Sequence, residues 1–341
     1  MDFDNIMREI TSGLNGDAGH DIAHLNEQME KYKDHKMSKE IARACGRLIY
    51  KIVPEEKKAA LTELLKKNEM GYEAAFEEAR FNVYSKNYEK ALSIFEGIIN
   101  KIEKLGAFMD DAVSEYHSFN ETYEEILYKF MYKPTRTVRP AHPLTAKIYF
   151  EYGVLLVELK RLEDARSALN NALRWNPMYA KVMFEYAETY KAVEAWEQFL
   201  ELTKRAFKVS FRAKDLARCY RNVAFYFVEK ELYDAAASCL EVSTIFDPES
   251  KTAHAELYYI HQVTDGKAKA LPPDELKKVA NEYGFPLGAD GDVVGLAFAL
   301  GKDAFEKGQK EAANYFLSIA YELTKAPEVE ELLAQVGLQE E

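Results

Sequence analysis

Residues 146–179 read AKIYFEYGVLLVELKRLEDARSALNNALRWNPMY. Within them Tyr149, Tyr152, Gly153 and Leu156 are followed by Ala165, Leu169 and Ala172, and the stretch closes on Trp175-Asn176-Pro177. An offset of 71 lands on Tyr220, Val223, Ala224, Phe227, Ala236, Leu240, Ser243 and Asp247-Pro248, the same classes in the same order. An offset of 148 reaches Ala297, Leu300, Gly301, Ala304, Ala313, Leu317 and Ala320, with the proline displaced to Pro327. Going back by 74 reaches Ala75, Glu78, Ala79, Asn82, Ala91, Phe95 and Ile98, which keeps the small positions but loses the first aromatic. Residues 180–216 keep Met183, Tyr186, Ala187 and Tyr190 but place Phe199 where a small residue is expected. Self-similarity of this kind marks stacked structural units.

The spacing also has a mechanical reading. Tyr152 and Leu156 on one helix and Leu169 and Ala172 on the next form apolar stripes at helical period. Gly153, Ala187, Ala224 and Gly301 are small where the two helices of a unit cross, and Ala165, Ala236 and Ala313 supply the matching hollow. Pro177 and Pro248 end the second helix. This pattern resembles the tetratricopeptide-repeat family, whose units of about 34 residues follow a W-x2-L-G-x2-Y, A-x3-F, P pattern. The resemblance covers about 71–105, 146–262 and 294–327, and implies an all-α, right-handed superhelical solenoid with a long concave groove lined by the first helices.

The expected organisation is a helical cap or degenerate repeats over 1–70 and a solenoid over 71–341. Its clearest repeats are 72–105, 146–179, 217–250 and 294–327, with 180–216 degenerate. Residues 40–51 and a segment opening at Pro54-Glu55-Glu56 read as helices of the cap. Two insertions break the period. Residues 133–143 hold Pro134, Pro140 and Pro143 with Arg136 and Arg139, so they run extended; residues 265–292 interrupt a repeat after its first helix.

Composition agrees with a helical, water-facing chain. Of 341 residues 48% are apolar and 30% charged; 45 Lys and Arg against 57 Asp and Glu give a net charge of -12, which argues against a nucleic-acid partner. Cys45, Cys219 and Cys239 show neither disulfide-framework nor zinc spacing. The acidic start and the lack of a long apolar run lead us to expect a cytoplasmic protein without a membrane segment.

The usual catalytic signatures are missing: no phosphate-binding loop, nucleophile elbow or dinucleotide fingerprint occurs. His20 and His24 stand at i and i+4, but Asp21 sits where a metalloprotease places Glu, and no third ligand is near. His254 and His261 fall on positions read as core aromatics, and His117 and His142 have no recognisable partners. We therefore expect a non-catalytic protein with no cofactor and no metal site.

A second stripe carries the functional expectation. Beside the packing residues run Phe150, Val154 and Val157, and in later helices Phe184, Glu188 and Lys191, then Arg221, Phe225 and Val228, then Ala255, Tyr259 and Gln262. With Lys147, Lys181 and Arg218 at the helix entrances, the implied groove interleaves Lys147, Phe150, Val154, Lys181, Phe184, Lys191, Arg218, Arg221, Phe225 and Tyr259. Such a groove would take a protein or peptide segment carrying acids and apolar anchors, as a scaffold or adaptor does. A peptide-sensing receptor that changes superhelical shape is the alternative, and the oligomeric state stays open. Some family members clamp a terminal carboxylate with lysine, arginine and two asparagines. Here Glu151 and Glu185 occupy sites of that clamp, and only Asn222 matches in type. On this reading Arg221 is an exposed groove residue, and Arg221→Glu would move stability by only about ±0.5 kcal/mol.

Overall fold

The computed structural model describes residues 2–54, 72–105 and 108–338. The chain divides into two compact units, Met1–Ser118 with Tyr132–Leu155, and Phe119–Met131 with Leu156–Glu341. The helix expected to open at Pro54-Glu55-Glu56, and most of the cap beyond it, lie outside the described residues.

The first unit begins with three helices, α1 (Phe3–Ser12), α2 (Ala18–Lys31) and α3 (Ser38–Ile52). Asp2 and Asp17 cap the first two by accepting the N–H of Asn5 and His20, at 2.9 and 2.8 Å. Ile6 and Ile10 of α1, Leu25 of α2, and Ile41 and Cys45 of α3 close into a buried cluster, the paired residues lying one helical turn apart. Helical residues 72–84 (α4) and α5 (Tyr88–Leu105) form a hairpin. Its small positions Ala79 and Ala91 are fully buried, and Phe76, Phe95 and Tyr152 stack in sequence, with centroids 6.3 and 6.0 Å apart. Tyr152 lies on α7 (Thr145–Glu158), whose residues up to Leu155 belong to this unit.

The run expected to be extended over 133–143 contains a strand of four residues. β2 (Thr137–Pro140) pairs in parallel with β1 (Ser114–His117), from Ser114 opposite Thr137 to His117 opposite Pro140. Nothing in the repeat pattern pointed to β1. The two histidines whose partners the sequence did not reveal belong here: His117 Nε2 lies 3.5 Å from Glu115 Oε1, and the His142 ring meets Tyr72 edge-on.

The second unit holds α6 (Thr122–Tyr132), the end of α7, and the helices α8 (Leu162–Trp175), α9 (Ala180–Lys191), α10 (Trp196–Phe207), α11 (Ala213–Glu229), α12 (Tyr233–Phe246), α13 (Lys251–Val263), α14 (Pro273–Tyr283), α15 (Gly291–Glu306), α16 (Lys310–Thr324) and α17 (Pro327–Leu338). Helical hairpins pack through the small positions read from the sequence. Ala165, Ala187, Ala224, Ala236 and Ala313 are buried to within 1% of their surface. At Gly301 a β-carbon would stand 2.7 Å from Leu317 Cγ and 2.9 Å from the Leu317 backbone nitrogen, so only glycine fits this crossing. Phe199, in the degenerate repeat, is fully buried and packs edge-on against Phe225. Outside the strand pair the regular structure of the described residues is helical, as the repeat reading requires.

Five of the hairpins turn through one residue in the left-handed conformation: Lys86, Lys160, Glu194, Glu231 and Gly308. These stand at equivalent places in the repeat, and only the last is glycine, the residue that adopts this region without strain.

The segment 265–292 does not loop out. Phe285 packs against Phe207 and Phe227, and the Tyr220 hydroxyl accepts the Gly288 N–H at 2.5 Å while donating toward Pro286 O at 3.0 Å. Beyond it the hairpin α15–α16 turns back on earlier helices. Tyr123 of α6 packs edge-on against Phe211 and tilted against Phe316, its hydroxyl donates to Val293 O, and Glu121 accepts from both Arg212 and Tyr315. His254 and His261, expected in the core, are exposed. Ser250 caps α13 in a register that gives the buried stripe to Ala253 and Ile260, one residue earlier in each turn.

Candidate functional site

The face of α9, α11 and α13 read as groove-lining carries a cross-helix ladder of charges in the second unit. The Arg218 guanidinium reaches Glu185 Oε1 at 3.2 Å and Glu188 Oε1 at 3.7 Å, and lies over the Phe184 ring at 5.0 Å. Lys191 stands 3.8 Å from Glu188 Oε2, and its Nζ lies 3.6 Å from the centroid of the Phe225 ring. The structure thus brings Phe184, Lys191, Arg218 and Phe225 together around Glu185 and Glu188, so the bases of the stripe are paired within the chain.

Two expectations need correction. Phe184 is 1% exposed, so it is no anchor for a partner; it is the floor under Arg218. The reason is that α9 is flanked on two sides, and Val182, Met183 and Phe184 are all buried. Arg221 is not an exposed groove charge either. Its side chain is 16% exposed, donates to Ser243 Oγ at 3.2 Å and pairs with Asp247 Oδ2 at 3.5 Å, which ties α11 to the end of α12. Asn222, the one residue matching a carboxylate clamp, is buried and donates to Thr203 Oγ1 at 3.3 Å.

Burial pushes the carboxyls of Glu185, Asp215 and Glu256 above their ordinary range, against the pull of Arg218 on the first, Lys181 on the second and Lys191 on the third. The arginines are therefore committed to carboxylates of the same chain. Lys181 is exposed and makes no ion pair among the described residues, and Lys160 is likewise unpaired. Tyr259, on α13, is 51% exposed beside the more exposed Tyr258.

At one end of the ladder lies a cleft of about 420 Å³ walled by Val157, Leu162, Trp196 and Phe225, with Lys160, Lys191 and Glu188 at its margin. Trp196 meets Phe225 edge-on at 5.8 Å. Sequence reasoning missed Trp196. Its signal is positional: it stands two residues after the left-handed turn residue Glu194, where Leu162 follows Lys160 and Tyr233 follows Glu231.

In the first unit, Lys147, Phe150 and Val154 occupy successive turns of α7, half-buried, and Lys147 makes no ion pair among the described residues. Glu151 beside them lies 4.0 Å from Arg80, with its carboxyl pushed up by burial. The His20 and His24 rings stack at 6.2 Å, but Nε2 of His24 is bonded to Ile10 O at 2.9 Å and Nδ1 of His20 to Asp21 at 3.1 Å. Both are thus spent on the fold. Asp290, half of an acidic pair in the loop before α15, accepts the Asp292 N–H at 2.9 Å as a helix cap. No helix among the described residues is long and apolar enough to cross a membrane.

No protein-family model and no curated protein matches the sequence. Solved structures similar to the chain are tetratricopeptide-repeat proteins. One, from Parabacteroides merdae ATCC 43184, is 11% identical over 98% of each chain with a TM-score of 0.39. YrrB, described as a TPR protein with an unusual peptide-binding site, is 13% identical over 62% of this chain and 96% of its own, with a TM-score of 0.30. The P58(IPK) TPR domain is 11% identical over 99% and 97%, with a TM-score of 0.22. The repeat assignment itself rests on the hairpins: small residues at the crossings, a left-handed residue in five of the turns, and aromatic stripes at the repeat spacing make these units similar to tetratricopeptide repeats.

Proposed function

We propose that the second unit is a non-catalytic docking module. It takes a protein segment along α9, α11 and α13, with an apolar side chain of the segment entering the Trp196–Phe225 cleft and acids of the segment meeting Lys160 and Lys181. The observation that carries this reading is the cleft itself: an aromatic wall of Trp196 and Phe225 beside a half-exposed charge ladder, covered in part by the stem of Lys191. The magnitudes order the two contributions. Burying one leucine-sized side chain is worth about 1.5–3 kcal/mol, whereas each exposed lysine pair adds roughly 0–1 kcal/mol. The apolar anchor sets affinity, and the lysines select for acidic neighbours.

The test is selection of a displayed random-peptide library on the full chain. Wild type should enrich peptides with an aromatic or aliphatic residue flanked by acids. Trp196→Ala should lose them, and Lys181→Glu should weaken them about tenfold at low salt and less at high salt. Peptides bound equally by wild type and both variants would refute the assignment.

A further inference from the structure

The second unit holds a larger cleft than the one at Trp196, of about 740 Å³, between the start of α12, the end of α13 and α14. Its walls are apolar: Leu232, Tyr233, Val263, Leu271, Val279 and Tyr283. Leu232 and Val263 are 40% and 45% exposed, so the cleft leaves apolar surface in water.

The two clefts occupy equivalent places in successive repeats. The offset of 71 that relates the repeats carries Lys160, Leu162, Ala192, Glu194 and Trp196 of the first cleft onto Glu231, Tyr233, Val263, Asp265 and Lys267 of the second. The left-handed residues coincide as well, Lys160 with Glu231 and Glu194 with Asp265. Two of these exchanges change the chemistry. A lysine at the rim becomes a glutamate, and the tryptophan of the wall becomes an exposed lysine, so the aromatic wall has to come from elsewhere. Helix α14 supplies it. The Tyr283 ring packs edge-on against Phe227 at 4.9 Å and Tyr226 at 6.0 Å. The chain leading to α14 is pinned to α12, because Asp234 Oδ1 accepts the Lys269 N–H at 2.9 Å and Ser238 Oγ accepts the Leu271 N–H at 2.8 Å. The inserted segment 265–292 thus builds one wall of this cleft.

The rim is acidic. Glu231, Asp234, Asp265 and Glu282 line the cleft with a single base, Lys267, which lies 3.8 Å from Asp265. Asp234 is half engaged by the Lys269 N–H. Among the described residues Glu231 and Glu282 have no ion-pair partner, and both are exposed. The first cleft sets Lys191 against Glu188 at its margin, whereas this one keeps negative charge that nothing in the chain answers.

We propose that this cleft is a second docking site, one that takes a protein segment carrying an apolar side chain flanked by lysine or arginine. The apolar side chain covers Leu232 and Val263, and the flanking cations meet Glu231 and Glu282, which stand on different elements. Charge selects the partner: four carboxylates repel an acidic segment, and a neutral one leaves them unanswered. Walls this exposed suit a run of side chains rather than a small molecule, which buries most of its surface in its pocket. The opposite charge preference separates this site from the Trp196 cleft, and either reading can fail alone.

The test is fluorescence anisotropy of the full chain with two pools of labelled peptides, each built on a central leucine, phenylalanine or tryptophan. Neighbouring positions carry lysine and arginine in one pool and aspartate and glutamate in the other, with serine and glycine filling both. Wild type should bind the basic pool saturably. Leu232→Ser with Val263→Ser should weaken that binding about tenfold or more, since it strips two apolar walls. Residue 232 stands at the N-cap of α12, where serine is favoured, so the fold tolerates the change. Glu231→Lys with Glu282→Lys should weaken binding about tenfold at low salt, and less at high salt. Glu27→Lys with Glu306→Lys makes the same change in net charge at exposed sites outside the cleft, and should leave the affinity nearly unchanged. Equal losses in the two charge-reversed pairs would reduce the binding to attraction by the net charge of -12 and overturn the proposal. So would absence of saturable binding, or unchanged affinity in the serine variant. Phenethylammonium binding as tightly as the peptides would assign the cleft to a small organic cation instead, and self-association of wild type that the serine variant abolishes would assign it to a second copy of the chain; either result overturns the proposal.

Discussion

Gly301→Ala and Gly295→Ala place the same methyl group on the same helix, six residues apart, and should have opposite effects. At Gly295 an added β-carbon meets nothing within 4 Å, so alanine there should stabilise α15 by about 0.8–1.0 kcal/mol, the helix-propensity gain over glycine. At Gly301 the same atom would stand 2.7 and 2.8 Å from Leu317 Cγ and Cδ2 and 2.9 Å from the Leu317 nitrogen. A leucine side chain can rotate away. The backbone nitrogen cannot, so α15 and α16 must separate. Overpacking of this kind costs about 1–3 kcal/mol. Propensity cancels between the two variants, and Gly301→Ala should therefore lie below Gly295→Ala by about that amount. Repeat arrays open locally, so the assay is hydrogen exchange of the α15 and α16 amides, supported by urea unfolding. Equal shifts in the two variants would refute the crossing, because they would mean that the helices do not meet at Gly301.

Arg221→Glu should destabilise the protein by about 1.5–3 kcal/mol in urea unfolding, since it removes charged hydrogen bonds to Ser243 and Asp247 and sets a second carboxylate against Asp247; a change within about 0.5 kcal/mol would restore the exposed-charge reading. Glu256→Gln should stabilise the protein at neutral pH. Burial raises the Glu256 carboxyl in the folded state, so the fold takes up its proton more readily than the unfolded chain, and the wild type gains stability as pH falls through the folded value. Unfolding midpoints of wild type and Glu256→Gln should therefore converge on acidification, and a variant less stable at pH 7 would contradict this.

The architecture was readable wherever steric demand forces residue type. Gly301 could be placed from sequence because no side chain fits there, and Ala165, Ala236 and Ala313 for related reasons. The turn signal was not readable in the same way, because Lys86, Lys160, Glu194 and Glu231 tolerate the left-handed region at moderate strain, so glycine does not mark it. The candidate site was read in part. Helical period locates a face but not its neighbours: Phe184 lies on the expected line, yet flanking packing and Arg218 cover it, and Arg221 on the same line is drawn toward Asp247. Trp196 escaped because it begins a second helix, whereas the stripe analysis followed first helices. At α13 the cap residue Ser250 sets a register one residue away from the one that would bury His254 and His261.

The return of α15–α16 onto α6 changes how the second unit can acquire its structure. An open repeat array makes only neighbour contacts and can assemble from any point along its length. Here Tyr123 meets Phe316 and Val293, and Glu121 meets Tyr315, across 170 to 194 positions of chain. Until α15–α16 has left the ribosome, Tyr123 stands with its later partners unmade, and the emerging array presents an aromatic surface that this hairpin will cover. Completion of the second unit thereby waits on the arrival of α15–α16, and the slow step of maturation becomes the closing of one long loop.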